Sequence, residues 1–133
     1  MLRGRKTINA LSYKIIAAAI EVHKEIGPGL LESIYEQCLV QELRDRQLHV
    51  ECQVLVPVHY KGKMLGSNLR LDMIIEDTIV VEAKAVEQLH PAHNAQLLTY
   101  LRLVDRRLGL LMNFNEELMK HGIERVVNGN LDA

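Results

Sequence analysis

The stretch IVVEAKA, residues 79–85, reads as a core strand that carries two charges. Runs of Val and Ile bounded by turn residues pack both faces in an α/β sheet. A carboxylate or an ammonium in such a run is costly unless it is paired or bound to an ion. Glu82 and Lys84 stand two residues apart and so share one face of the strand. That makes the strand both the centre of the fold and the place to look for chemistry.

Just upstream, NLRLDMIIED (residues 68–77) gives a strand that delivers Asp72. Alternation puts Leu69, Leu71 and Met73 on one face and Arg70, Asp72 and Ile74 on the other. A tight turn at Glu76, Asp77 and Thr78 makes the two strands antiparallel neighbours and carries Asp72 towards Glu82. Two carboxylates and a lysine on one patch of a core sheet suit a divalent cation, because hard oxygen ligands favour Mg²⁺ or Mn²⁺. An ammonium beside them can orient a water and offset charge building on a phosphate. The same residues also fit a buried structural ion-pair network.

On either side the periodicity is plain. Residues 9–25 predict a helix with Leu11, Ile15, Ala18, Val22 and Ile26 in one stripe, stopped by Gly27-Pro28-Gly29. Residues 30–47 predict a second, burying Leu31, Ile34, Tyr35, Cys38, Leu39 and Leu43. Glu32 then faces inward at the helix start, either as a cap on the helix dipole or as part of a metal site. Val50, Cys52, Val54, Val56 and Val58 alternate as a strand, YKGK (residues 60–63) turns, and residues 64–75 return. A helix over 91–104 follows, with Pro91 in its first turn and Gln96 and Tyr100 one turn apart on a shared stripe with Leu103. That pair is placed to hold a water, a base or a phosphate, or is only a polar contact. Residues 108–114 predict a buried strand, 116–121 a short helix and 123–127 an edge strand. Residues 1–8 and 128–133 are expected to fray. The order ααβββαβ(α)β describes one α/β domain over residues 1–133, a mixed central sheet flanked by helices.

Composition narrows the classes. With 133 residues, 48% of them hydrophobic and 25% charged, the chain suits a soluble domain with its own core. A net charge of -1 argues against a nucleic-acid coat protein that works by bulk charge, but not against an enzyme whose positive charge is local. Arg3, Arg5 and Lys6, then Lys61 and Lys63, then Arg102, Arg106 and Arg107 form cationic clusters that read as solvated surface. One Phe and no Trp leave little for stacking on bases. Cys38 and Cys52 lack the spacing of a zinc ribbon or a redox pair and read as buried free thiols in a reducing compartment. The apolar run 15–20 is too short to span a membrane, so a soluble cytoplasmic protein without a membrane partner is expected. His23 reads as a hydrogen-bonded, partly buried histidine. His90 and His93 lack the further ligands a zinc site needs. No phosphate-binding loop, dinucleotide fingerprint or nucleophile elbow occurs.

Taken together, D-x₉-E-x-K on adjacent strands and Q-x₃-Y on the next helix resemble the PD-(D/E)XK nuclease superfamily, in its recombination-exonuclease-like branch. EVHKEIGPGLLESIYEQCL, YKG, LDMIIED, VVEAKAVEQL, AQLLTYLRL and GLLMNF are similar to the small proteins named for a GxxExxY motif, here Gly29, Glu32 and Tyr35. The resemblance spans residues 15–125 and implies a restriction-endonuclease-like core and a metal-dependent phosphodiesterase, a nuclease acting on DNA rather than RNA. It further implies that Asp72 and Glu82 ligate Mg²⁺ or Mn²⁺, with the Ala83 carbonyl and Glu32 as additional candidates. Lys84 would position or activate the water, and Gln96 and Tyr100 would complete the catalytic set. Leu71 stands where the superfamily name has Pro, a position that offers no ligand. Two other readings stay open: a non-catalytic module binding nucleic acid or protein, and a structural homo-oligomer whose charges form only ion pairs. A homodimer would widen the surface available to a substrate.

Overall fold

The computed structural model describes residues 4–131. Its elements are α1 (Arg5–Ile26), α2 (Glu32–Asp45), β1 (Val50–Tyr60), β2 (Lys63–Ile75), β3 (Ile79–Lys84), α3 (Pro91–Val104), β4 (Leu108–Asn113), a 3-10 turn (Met119–Gly122) and β5 (Ile123–Val127). The five strands form one sheet in chain order, antiparallel except for the β3–β4 pair that α3 connects. This is the mixed α/β order expected from the sequence.

Alternation along β3 and β4 divides the core into two layers. Ile79, Val81, Ala83, Leu108, Leu110 and Met112 pack under α1 and α2. Val80 and Leu111 pack with Leu97 and Leu101 of α3 on the other face. A strand covered on both faces reads as an unbroken apolar run, which is why 108–112 shows no polar alternation. Each buried Leu or Ile contributes roughly 1.5–3 kcal/mol relative to exposure. Among the described residues, no helix is long and apolar enough to cross a membrane.

Several boundaries and faces differ from the sequence expectation. α1 begins one turn earlier than residue 9, because Ile8 extends the Leu11 and Ile15 stripe backwards and is itself buried. Ile26, at the other end, is exposed. Fraying of 128–131 is not seen either: Asn128 N–H donates to the Arg107 carbonyl, its amide donates to the Arg106 carbonyl, and Leu131 is buried. The rest of the fraying expected at 1–3 and 132–133 lies outside the described residues, as does Arg3. α2 turns Tyr35, Leu39, Val40 and Leu43 inward and leaves Leu31 and Ile34 exposed, so its buried stripe is rotated from the one expected. Cys52 is exposed rather than buried, because α2 and β1 leave an open groove of about 630 Å³ between them, and Cys38 is half-buried at a smaller groove between α1 and α2.

The Gly-Pro-Gly link between α1 and α2 is held by Tyr35. Gly27 and Gly29 take φ of 68° and 98°, values that L side chains avoid. The Tyr35 hydroxyl donates to the Gly27 carbonyl at 2.5 Å and accepts from the Leu30 N–H at 3.1 Å. Its ring stacks on Phe114 with centroids 4.8 Å apart. The Gly and Tyr of the GxxExxY pattern therefore shape a turn. Tyr35→Phe keeps the stacking and loses both hydrogen bonds, so urea unfolding should show a loss of about 1–3 kcal/mol. An unchanged midpoint would contradict this role.

Candidate active site

Asp72 and Glu82 meet where two strands separate. β2 and β3 pair only through Met73–Val81, Ile74–Val80 and Ile75–Ile79. Beyond Met73 the strands splay, and the ladder's orphaned donors are taken up by the carboxylates. The Ala83 N–H donates to Asp72 Oδ2 at 2.9 Å, and the Asp72 N–H reaches Glu82 Oε1 at 3.3 Å. Both side chains thus replace backbone partners and are held in place by the chain itself. The simple alternation expected along β2 is broken here. Leu71 and Ile74 lie in the α3 layer, whereas Met73 lies in the α1–α2 layer. On the facing strand, Gln53 falls between the Cys52–Met73 and Val54–Leu71 pairs and adopts a left-handed φ of 53°. The kink at this level aims Asp72 into the splay.

The pair is electrostatically crowded. Glu82 is 7% exposed. Burial, reinforced by the Asp72 charge, pushes its carboxyl from 4.5 up to about 8. Burial also raises Asp72, against the bond from the Ala83 N–H and the charge of Lys84. Lys84 is half-buried at the end of β3, and among the described residues it makes no direct ion pair. Its ammonium acts on both carboxylates through space. A closed structural ion-pair network is therefore not what these residues form.

The flanking helices contribute unequally. Tyr100 of α3 is half-buried, and burial followed by the charges of Glu82 and Asp72 raises its phenol. It stays protonated beside the carboxylates and can donate a hydrogen bond. Gln96, one turn earlier, is exposed at the rim. Glu32 is the first residue of α2 and is exposed, not inward-facing as its spacing had indicated. The acid of α2 that approaches the centre is Glu36: it is half-buried, feels the Asp72 charge and that of Glu32, and accepts a hydrogen bond from the Gln53 amide. Burial is the leading cause of its raised carboxyl. Glu36 and Gln53 were missed in the sequence, although Glu36 lies one turn after Glu32 and Gln53 counts opposite Asp72 across the hairpin.

Asn113 was also missed. It is fully buried, accepts from the Val86 N–H at 3.0 Å and donates to the Val86 carbonyl at 2.9 Å. With the Phe114 N–H donating to the Lys84 carbonyl at 2.8 Å, it fixes the chain just after Lys84. The histidines do other work. His23 bonds to the Glu116 carbonyl at 2.7 Å, and His90 and His93 form a reciprocal cap on α3. Arg106 of the late cationic cluster pairs with Asp77 at 2.5 Å.

Among the described residues no cluster of three or more His, Cys, Asp and Glu side chains forms a complete cage. Two crowded hard carboxylates, desolvated and without a direct cationic partner among the described residues, nevertheless suit Mg²⁺ or Mn²⁺, ions that take one or two carboxylates and complete their shell from water and substrate phosphate. The residues fit the ion.

A sheet splayed to present two carboxylates, with a lysine at the strand end and a helix packed beside it, defines a class of site suited to phosphate chemistry. The family model of the PD-(D/E)XK nuclease superfamily matches residues 9–126, and the chain belongs to that superfamily. Divalent metal ions are typical of its nucleases, and its substrates are nucleic acids. No curated protein and no solved structure matches the chain.

Proposed function

We propose that this protein is a metal-dependent phosphodiesterase, a nuclease of the GxxExxY type that hydrolyses phosphodiester bonds in nucleic acid, DNA in preference to RNA. The observation that carries this reading is the desolvated Asp72–Glu82 pair at the strand splay, with Lys84 close and, among the described residues, in no ion pair. Asp72 and Glu82, with the Ala83 carbonyl, would hold Mg²⁺ or Mn²⁺. Bound there, the ion supplies Lewis-acid polarisation of the phosphate and makes water a stronger nucleophile at neutral pH. Asp72 is oriented for this by the Ala83 N–H. Lys84 positions the attacking water and offsets charge developing on the phosphoryl oxygens. Tyr100 donates to a phosphate oxygen, Gln96 guides the substrate at the rim, and Glu36 rather than Glu32 supplies the additional acid. Two free cysteines, one of them exposed, suit a reducing compartment such as the cytoplasm.

The test is a panel of labelled single- and double-stranded DNA, RNA and nicked duplex, incubated with Mg²⁺, Mn²⁺ or chelator. Cutting that requires a divalent ion and stops with chelator is the expected result. Binding of a panel member without cutting under any cation would replace this reading with a non-catalytic module.

A further inference from the structure

β3 leaves β2 at Met73, but β1 and β2 stay paired to the Tyr60–Lys63 end, closed by Lys61 and Gly62 at φ of 50° and 79°. The hairpin therefore continues past the sheet as a two-stranded arm. Its root is anchored, with Val56 and Leu71 packed in the α3 layer. Its outer part exposes Tyr60, Met64 and Leu65. Residues 54–71 contain Lys61, Lys63 and Arg70 and not one Asp or Glu, in a chain whose net charge is -1. None of these three cations forms an ion pair among the described residues. Lys61 Nζ lies 5.4 Å from the centre of the Tyr60 ring, which keeps it at the tip.

The arm is poorly suited to strand addition by a second copy. Pro57 lacks an N–H, the register shifts between Pro57 and His59, and Gln53 is left-handed, so the outer edge of β1 offers no regular ladder. Side-chain recognition remains, and its chemistry is cationic. A two-stranded ribbon fits the major groove of B-form DNA, whereas the narrow A-form groove excludes it. Lys63 pairs with Tyr60, and Asp72 lies opposite Gln53, seven residues earlier on β1, so the paired arm spans ~23 Å at about 3.3 Å per residue. That matches roughly seven base pairs of duplex. Arg70, two residues before Asp72, sits at the near end of the same strand.

We propose that the β1–β2 arm is the duplex-DNA clamp of this protein, with Lys61, Lys63 and Arg70 gripping the phosphate backbone as it leads into the Asp72–Glu82 splay. The proposal rests on the nuclease reading for its substrate class but is tested without catalysis. Fluorescence anisotropy in chelator would compare the wild-type protein with Lys61→Ala/Lys63→Ala/Arg70→Ala on B-form duplex, single-stranded DNA and RNA duplex across a KCl series. The wild type should prefer the DNA duplex, and its affinity should plateau once the DNA extends about seven base pairs along the arm. The triple variant should bind roughly tenfold or more weakly, with its log–log salt slope shallower by about 3. Lys61→Arg/Lys63→Arg should retain the wild-type slope. An unchanged slope in the triple variant, equal affinity for all three nucleic acids, or no binding by the wild type would overturn the clamp. So would an arm-dependent dimer in sedimentation that disappears in the triple variant. Metal-dependent cleavage with an unchanged KM in the triple variant would remove the clamp and leave the nuclease standing. Arm-dependent binding without any wild-type cleavage would do the reverse.

Discussion

Replacing Lys84 with Ala should lower the rate of metal-dependent cleavage by roughly 10²–10⁴-fold, the range lost with a positioned proton-transfer or charge-stabilising group. The fold should not suffer. Lys84 makes no direct ion pair among the described residues, and its backbone is held by the Phe114 N–H. Single-turnover cleavage beside urea unfolding separates the two outcomes. A lysine that anchored a buried ion-pair network would behave in the opposite way, because its loss would leave two buried carboxylates uncompensated at a cost of about 3–5 kcal/mol. A large loss of stability with cleavage retained would therefore count against the catalytic assignment.

The second large effect is on stability and follows from Glu82. Its carboxyl is raised from 4.5 to about 8, first by burial and then by the Asp72 charge. A raised folded-state value means that the protonated form is the favoured one. The stabilisation is fully present below about 4.5 and drains away as pH rises through about 8. Asp72 is raised too and adds to the loss. In chelator, stability should fall across this window by an amount on the order of 3–5 kcal/mol, since each tenfold difference in proton affinity between the folded and unfolded chain is worth about 1.4 kcal/mol. Glu82→Gln keeps an oxygen to accept from the Asp72 N–H and removes its own ionisation, so its stability should fall much less over the same window, by the share of Asp72 alone. Mn²⁺ should reverse the trend in the wild type by displacing the proton, and so should raise the melting temperature more at pH 8 than at pH 5. A wild-type protein that gains stability towards pH 8 in chelator would contradict the crowded pair.

Much of this was legible in the sequence because it is carried by periodicity. The alternation of β1, the unbroken apolar run of β4, the Lys61-Gly62 turn and the Pro91 helix start each have a local cause. Asp72, Glu82 and Lys84 stand out in the sequence because charges in a core strand are costly and call for a reason. What escaped depends on departures from regular geometry. The splay of β2 from β3 breaks the alternation between Leu71 and Met73, and no count along the strand reveals it. Glu36 of α2 is the acid that feels the Asp72 charge, while Glu32, one helical turn earlier on the same face, is left in solvent, and spacing along the helix does not reveal which turn lies over the splay. Asn113 reads as the last polar residue of a strand, and only its contact with Val86, far away in sequence, gives it a role.

The most direct test is the Mn²⁺ dependence of DNA cleavage by wild type and Asp72→Asn, purified identically. Asn keeps an oxygen to accept from the Ala83 N–H and loses the charge, so the splay should persist while its grip on the cation fails. The expected result is a saturable rise in wild-type cleavage with Mn²⁺ and no cleavage above chelator background in the variant at any Mn²⁺ concentration. Cleavage by Asp72→Asn at the wild-type rate, with the same Mn²⁺ dependence, would place the chemistry elsewhere and overturn the assignment of this site.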